Sequence, residues 1–221
     1  MKDVDPDPPT REGWVDRELL EEFPELRLLT VEVSAPARRR TTPALRAQLR
    51  MLSNRYDGAQ VITMRRQPIP HAYRVFFRHI GLDPDTTRTP VEGAAVERLR
   101  SGGFASRGRL HDALLLALME TAVPVWALDA DRLDGPLGIR GAREGERLGA
   151  DDLAPGLPPG RLVVADAAGP VAVLFGDIAT RSSPHADTRT LRLFTVQVAG
   201  VPAIHVEESL WTCANALSDR S

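Results

Sequence analysis

Between residues 110 and 120 apolar side chains occupy almost every face of a helical projection, a pattern that predicts a helix buried on most sides. Residues 26–33 (LRLLTVEV) are β-branched and aliphatic and predict a strand, preceded by a short amphipathic helix over 14–23. Pro43 suits a first helical position with Thr42 as N-cap, so a helix is expected to about Tyr56, ended by Asp57-Gly58. Thr89-Pro90-Val91-Glu92 forms a capping box, which predicts a helix to Arg100 closed by Gly102-Gly103. After Pro124 the short runs VPVWALD, LGIRGA, RLVVAD, PVAVLF and TLRLFTVQV, separated by Gly, Pro and Asp, predict strands. Val206, Leu210, Cys213, Ala214 and Leu217 then return to helical spacing, so a closing amphipathic helix is expected over 203–217.

Helices before and between short strands place the chain in the α/β (α+β) class. Its 221 residues suffice for one core. Residues 1–12 are polar, Pro-rich and without periodicity, and predict a disordered tail ahead of a single domain over 13–221. The stretch 154–160 is too short to divide that domain. Apolar runs such as 113–119 fall far below the ~20 residues that span a bilayer, and the acidic start has no signal-peptide core, so a cytoplasmic protein is expected. The single Cys213 excludes an internal disulfide and a multi-cysteine metal site, and its spacing predicts a small core residue.

The formal charge is −2, so no overall basic field advertises nucleic acid. Lys2 is the only lysine, and an arginine bias of this kind follows genome composition more often than phosphate contact. Local ridges are better pointers. Arg74 with Arg78, and Arg46 with Arg50, stand one helical turn apart, and a loop over 35–42 carries Arg38, Arg39 and Arg40.

Ser183, His185 and Asp187 bring a hydroxyl, an imidazole and a carboxylate within five residues, on one face if extended. Triads gather residues from separate elements, so a polar loop with local capping is the favoured alternative to a substrate-binding cleft. His111-Asp112 at a helix start pairs a base with an orienting acid, or simply complements the helix dipole. Glu146 follows the Gly145 turn, as a catalytic acid or a solvated one. In VPVWALD, alternation sets Val123, Val125 and Ala127 opposite Trp126 and Leu128. The small residues suit a packed helix, which assigns Trp126 to a pocket face. The five histidines are scattered, so neither a metal nor another cofactor is expected.

Four blocks in order carry a family resemblance over roughly 74–198. They are FRHIGLDP with Arg88, Pro90 and Glu92; Asp112 through PVWALD to Asp131; IRGAREGERLG with Arg140, Ala142, Gly145, Glu146 and Leu148; and SSPHADTRT. This series resembles the B3/B4 domain of the bacterial phenylalanyl-tRNA synthetase β subunit, especially its free-standing relatives. The resemblance implies a single B3/B4-like domain with a mixed, mainly antiparallel sheet packed by helices, plus an N-terminal helical extension. In the parent enzyme this domain holds the pocket that hydrolyses wrongly made aminoacyl-tRNA. The chain departs where the synthetase has paired asparagines, here near Arg109 and Leu115, and a histidine, here Trp126, with Leu128 at the following aromatic. The Gly-rich signature is reduced to Leu174-Phe175-Gly176-Asp177.

The resemblance implies a trans-editing hydrolase of mischarged aminoacyl-tRNA. His111, Asp112 and Glu146 are its catalytic candidates, and Trp126, Ser183, His185 and Asp187 contact the aminoacyl group. Arg46, Arg50, Arg74 and Arg78 contact tRNA. A labile ester needs little more than a positioned water and a held 3′ end. The alternatives are a non-catalytic module that binds tRNA or a small molecule, and a structural scaffold. Residues alone leave the three open.

Overall fold

The computed structural model describes residues 9–37, 39–149 and 154–218. Most of the expected tail, and Arg38, lie outside them. Arg11–Glu12 (β1), expected to be disordered, instead pairs with Thr30 and Leu29. The pairing uses backbone groups, a bond from the Thr30 hydroxyl to the Arg11 carbonyl and an exposed Arg27–Glu12 ion pair, so no hydrophobic pattern announces it. The helix expected over 14–23 is likewise shorter: Trp14–Val15 (β2) is extended, and the helix occupies Arg17–Glu22 (α1) with Asp16 accepting from the Glu18 amide.

Most of the remaining elements follow the hydrophobic pattern, and helices over 58–64 and 68–79 are added that it does not single out. Arg27–Ser34 (β3) is the first long strand. Pro43–Arg55 (α2) begins with the Thr42 hydroxyl accepting from the Leu45 amide. Asp57 does more than end it, because its carboxylate accepts from the Gln60 amide and starts Gly58–Met64 (α3). Pro68–His79 (α4), Pro90–Ser101 (α5) and Arg109–Thr121 (α6) follow, and the capping box of Thr89 and Glu92 is formed. Gly102 closes α5 at φ 72°, a left-handed conformation that a β-carbon disfavours. Val125–Asp129 (β4), Gly138–Gly141 (β5), Leu162–Asp166 (β6), Gly169–Val173 (β7) and Thr190–Gln197 (β8) precede the closing helix Ala203–Ser218 (α7).

The described strands form two four-stranded sheets. The first, ordered β1-β3-β8-β4, is antiparallel throughout. The second, β2-β5-β6-β7, is mixed because β2 runs parallel to β5. That parallel pair depends on Gly138, where an added β-carbon would lie 1.9 Å from the Trp14 indole. Helices α6 and α7 pack together, and α7 lies along β3 and β8. One core joins both sheets, with Leu28, Val31, Leu193 and Val196 from the first and Ile139, Val164 and Val171 from the second. Cys213 is buried in it, as its spacing predicts, and burial pushes its thiol pKa up. Among the described residues no helix is long and apolar enough to cross a membrane.

Candidate functional site

The position expected to open a pocket is filled with aromatic rings. Trp126 pairs across the ladder with Phe194 and stacks on it, centroids 5.3 Å apart and planes 15° from parallel. Phe175 meets the indole edge-on at 5.5 Å and also contacts Tyr73, Phe76 and Phe77 of α4. Leu128, on the same face, is fully buried. The pocket-face assignment of Trp126 is therefore corrected: both faces of β4 are packed, one by small aliphatic residues and the other by rings. Phe175 sits at φ 58°, an uncommon conformation for a residue with a β-carbon.

Ser183, His185 and Asp187 are neighbours that serve different partners. The Ser183 hydroxyl donates to the Ala179 carbonyl. His185 Nδ1 accepts from the Asp187 amide, which leaves the ring proton on Nε2, 3.0 Å from Asp129 Oδ2. Thr188 donates to the same oxygen at 2.7 Å. The Asp187 side chain is exposed and reaches His185 only at 3.9 Å. This arrangement is a clamp on the end of β4, with both imidazole nitrogens engaged, and the expected substrate-binding cleft is not assembled. Asp129 is the residue that organises it, and nothing in the local pattern distinguishes it from a strand-ending turn acid.

Glu146 is similarly committed. Both its oxygens receive Arg140 guanidinium hydrogens at 2.7 Å, and Oε2 also accepts from the Arg143 amide. The Arg140 hydrogen bonds lead the causes that hold its carboxyl below the usual range. Arg74, expected on a phosphate-facing ridge, is buried. Its Nη1 donates to Glu92 at 2.7 Å and to the Pro84 carbonyl, while Nη2 meets Asp85. It is a cross-brace between α4, the following turn and α5. Arg78 is half exposed and stands 4.0 Å from Asp85.

Asp112 is a fully buried acid with a dense set of hydrogen-bond partners. Its Oδ2 accepts from the hydroxyls of Thr41 and Ser106, and its Oδ1 from the Arg107 amide at 3.0 Å, with His111 Nδ1 at 3.2 Å. The Arg109 amide also donates to the Arg39 carbonyl, so the loop before α2 and the loop before α6 are fastened side by side. Arg46 adds a bond from Nη2 to the Thr41 carbonyl. The fastened loops present Arg39, Arg40 and Arg107 beside Arg46 and Arg50, all exposed. The triple-arginine run suggests part of this surface. Arg107 carries no sequence signal, because only the Asp112 bonds bring it there.

Burial works to raise the Asp112 pKa, but the bonds from Ser106, Thr41, the Arg107 amide and His111 together hold it low. A depressed carboxylate stabilises the fold above its unfolded pKa of about 4, and that contribution disappears as pH falls through the lower folded value. Glu146 acts with the same sign. Glu120, raised by burial, acts with the opposite one. Unfolding free energy measured by urea titration should therefore decline below about pH 4, and Asp112→Asn should lower the neutral plateau and flatten that decline. An acid slope unchanged in the variant would remove Asp112 from the account.

Residues 72–206 match the B3/4 domain family. The chain belongs to that family. It is 39% identical over 104 residues to the phenylalanine–tRNA ligase β subunit of Xanthomonas campestris pv. campestris (strain 8004). It is 38% identical over the same length to the corresponding subunit of Xylella fastidiosa (strain Temecula1). Each alignment covers 46% of this chain and 13% of the relative, so the similarity concerns a small part of those subunits. The blocks that mark this B3/4 domain are largely its braces: Arg74 with Glu92, Arg140 with Glu146, and the SSPHADTRT turn clamped to Asp129. The B3/4 match begins inside α4, so β1 to β3 and α1 to α3 belong to the flanking part of the chain.

Proposed function

We propose that this B3/4 domain binds tRNA through the arginine surface fastened by Asp112, and that it is the non-catalytic form of the domain. The observation that carries the reading is the Asp112 fastening. It holds the buried Asp112 carboxylate with internal hydroxyl and amide donors and leaves Arg39, Arg40, Arg46, Arg50 and Arg107 exposed around it. Phosphate neutralisation by such a cluster supplies sequence-independent affinity. The relatives' role in charging tRNA supplies the choice of nucleic acid. A tRNA partner is met in the cytoplasm, where we expect the protein to work.

The non-catalytic reading rests on the fate of three of the expected catalytic and substrate groups. Trp126 is stacked into a ring cluster, both oxygens of Glu146 are held by Arg140, and both nitrogens of His185 are engaged. No water-activating base is left at those positions. Purified protein should bind tRNA in fluorescence anisotropy, with a log–log salt slope of about −3 to −4 for four to five phosphate contacts. Combining Arg40→Glu, Arg46→Glu and Arg107→Glu should weaken binding by at least about thirtyfold at low salt. Salt-insensitive binding, or an unaffected triple variant, would discard the surface. Faster than spontaneous deacylation of any tRNA in a mischarged panel would discard the non-catalytic reading.

A further inference from the structure

Two clefts adjoin on either side of Phe23, between the N-terminal part of the chain and the matched domain. The first, about 290 Å³, is lined by Glu22, His79 and Arg161 over Leu19 and Leu162. The second, about 200 Å³, is lined mainly by apolar groups, among them Leu26, Val75, Phe76 and Val198. Glu22, Phe23 and His79 line both. The dividing ring is held in place, since Phe23 packs edge-on against Phe76 at 5.2 Å and lies 6.4 Å from the His79 ring. Together the clefts fall in the range of ~300–1,000 Å³ common for small-molecule sites.

Arg161 in the first cleft differs from the half-buried Arg181 and Arg192 and from the buried Arg74 and Arg140. Arg74, Arg140, Arg181 and Arg192 each reach a carboxylate. The half-buried Arg161 side chain has no hydrogen-bond or ion-pair partner among the described residues, and neither has the exposed side chain of Glu22. A carboxylate and a guanidinium thus face one small space without meeting, and an apolar chamber opens beside them. Recognition of a ligand by a few placed polar groups next to an apolar wall requires this combination.

We propose that the paired clefts bind an α-amino acid with a large apolar side chain. Glu22 receives the ammonium group, Arg161 the carboxylate, and the chamber of Val75, Phe76 and Val198 the side chain. His79 closes the polar end. The site uses α1, which lies outside the matched family region, so it is a feature of this chain's N-terminal addition. It stands on the cleft alone and not on the tRNA reading.

Calorimetric titration with L-leucine and L-phenylalanine tests it, with N-acetyl-L-leucine, L-leucinamide and glycine as probes lacking the ammonium, the carboxylate and the apolar arm. Leucine or phenylalanine should bind, and each defective probe should bind at least about tenfold more weakly, the change expected when one charged contact or the buried arm is lost. Glu22→Gln and Arg161→Gln should reproduce those losses from the protein side, and Val75→Trp should block the arm. Both charged positions lie at the surface of the cleft, and an unchanged melting temperature in these two variants will confirm that folding is intact. No heat of binding at about 10 mM ligand, or glycine and leucine binding alike, would overturn the proposal. tRNA binding measured on the same variants should be unchanged, so loss of amino-acid binding and loss of RNA binding report on separate claims.

Discussion

Replacing Arg74 with alanine will lower the unfolding free energy by about 3–5 kcal/mol, the range for removing one partner of a buried ion pair. The guanidinium is only 8% exposed, and its main partner Glu92 only 10%. Burial alone would lower the Arg74 pKa, but Asp85 and Glu92 reverse that and keep the group charged. Without it, the Glu92 carboxyl is left in a dry environment with only Thr89 to bond, and the turn carrying Pro84 and Asp85 loses its tie to α4. At 221 residues such a loss corresponds to a fall in melting temperature of roughly 6–20 °C. Adding Glu92→Gln to the alanine variant should recover part of the stability, because the orphaned carboxyl is then gone. The double change is the decisive measurement: a loss below about 1 kcal/mol in the single variant, or no recovery in the double, would show that Arg74 is not a brace. The same result explains why Arg74 cannot serve as a phosphate contact. A charge reversal there would abolish folding before it informed on RNA.

Trp126→Ala will cost about 3 kcal/mol, toward the lower end for a tryptophan truncation because the indole is half-buried. The void would open between Phe175 and Phe194, which stand against the indole at 5.5 and 5.3 Å. Phe175 holds a left-handed conformation in contact with four aromatic neighbours, so it has little freedom to collapse into the space. Trp126→Phe keeps a ring in the stack and should lose no more than about 1.5 kcal/mol. Chemical denaturation resolves these values. A truncation that changed stability by less than about 1 kcal/mol would return Trp126 to the wall of an open pocket and reopen the editing chemistry.

Local rules and family blocks suffice for nearly all of the scaffold. Proline at the start of α2 and α5, the Thr89–Glu92 capping box and the near-continuous apolar face of α6 are interactions within a few residues, and they appear where the pattern puts them. The strands beyond Pro124 are legible for the same reason, since alternation and β-branching act along one segment. Partnership is different. Whether Arg74 faces phosphate or Glu92, whether His185 serves Ser183 or Asp129, and which face of β4 receives Trp126 depend on residues 18, 56 and 68 positions away. Side-chain charge and ring size specify that a partner is needed, and burial makes the need costly to leave unmet, but neither specifies which partner. The same limit hides the arginine surface, because Arg107 joins Arg39 and Arg40 only through a carboxylate that two distant loops share. It also hides the cleft beside Phe23, whose two unmatched charges sit on α1 and just before β6 and become neighbours only when the chain closes.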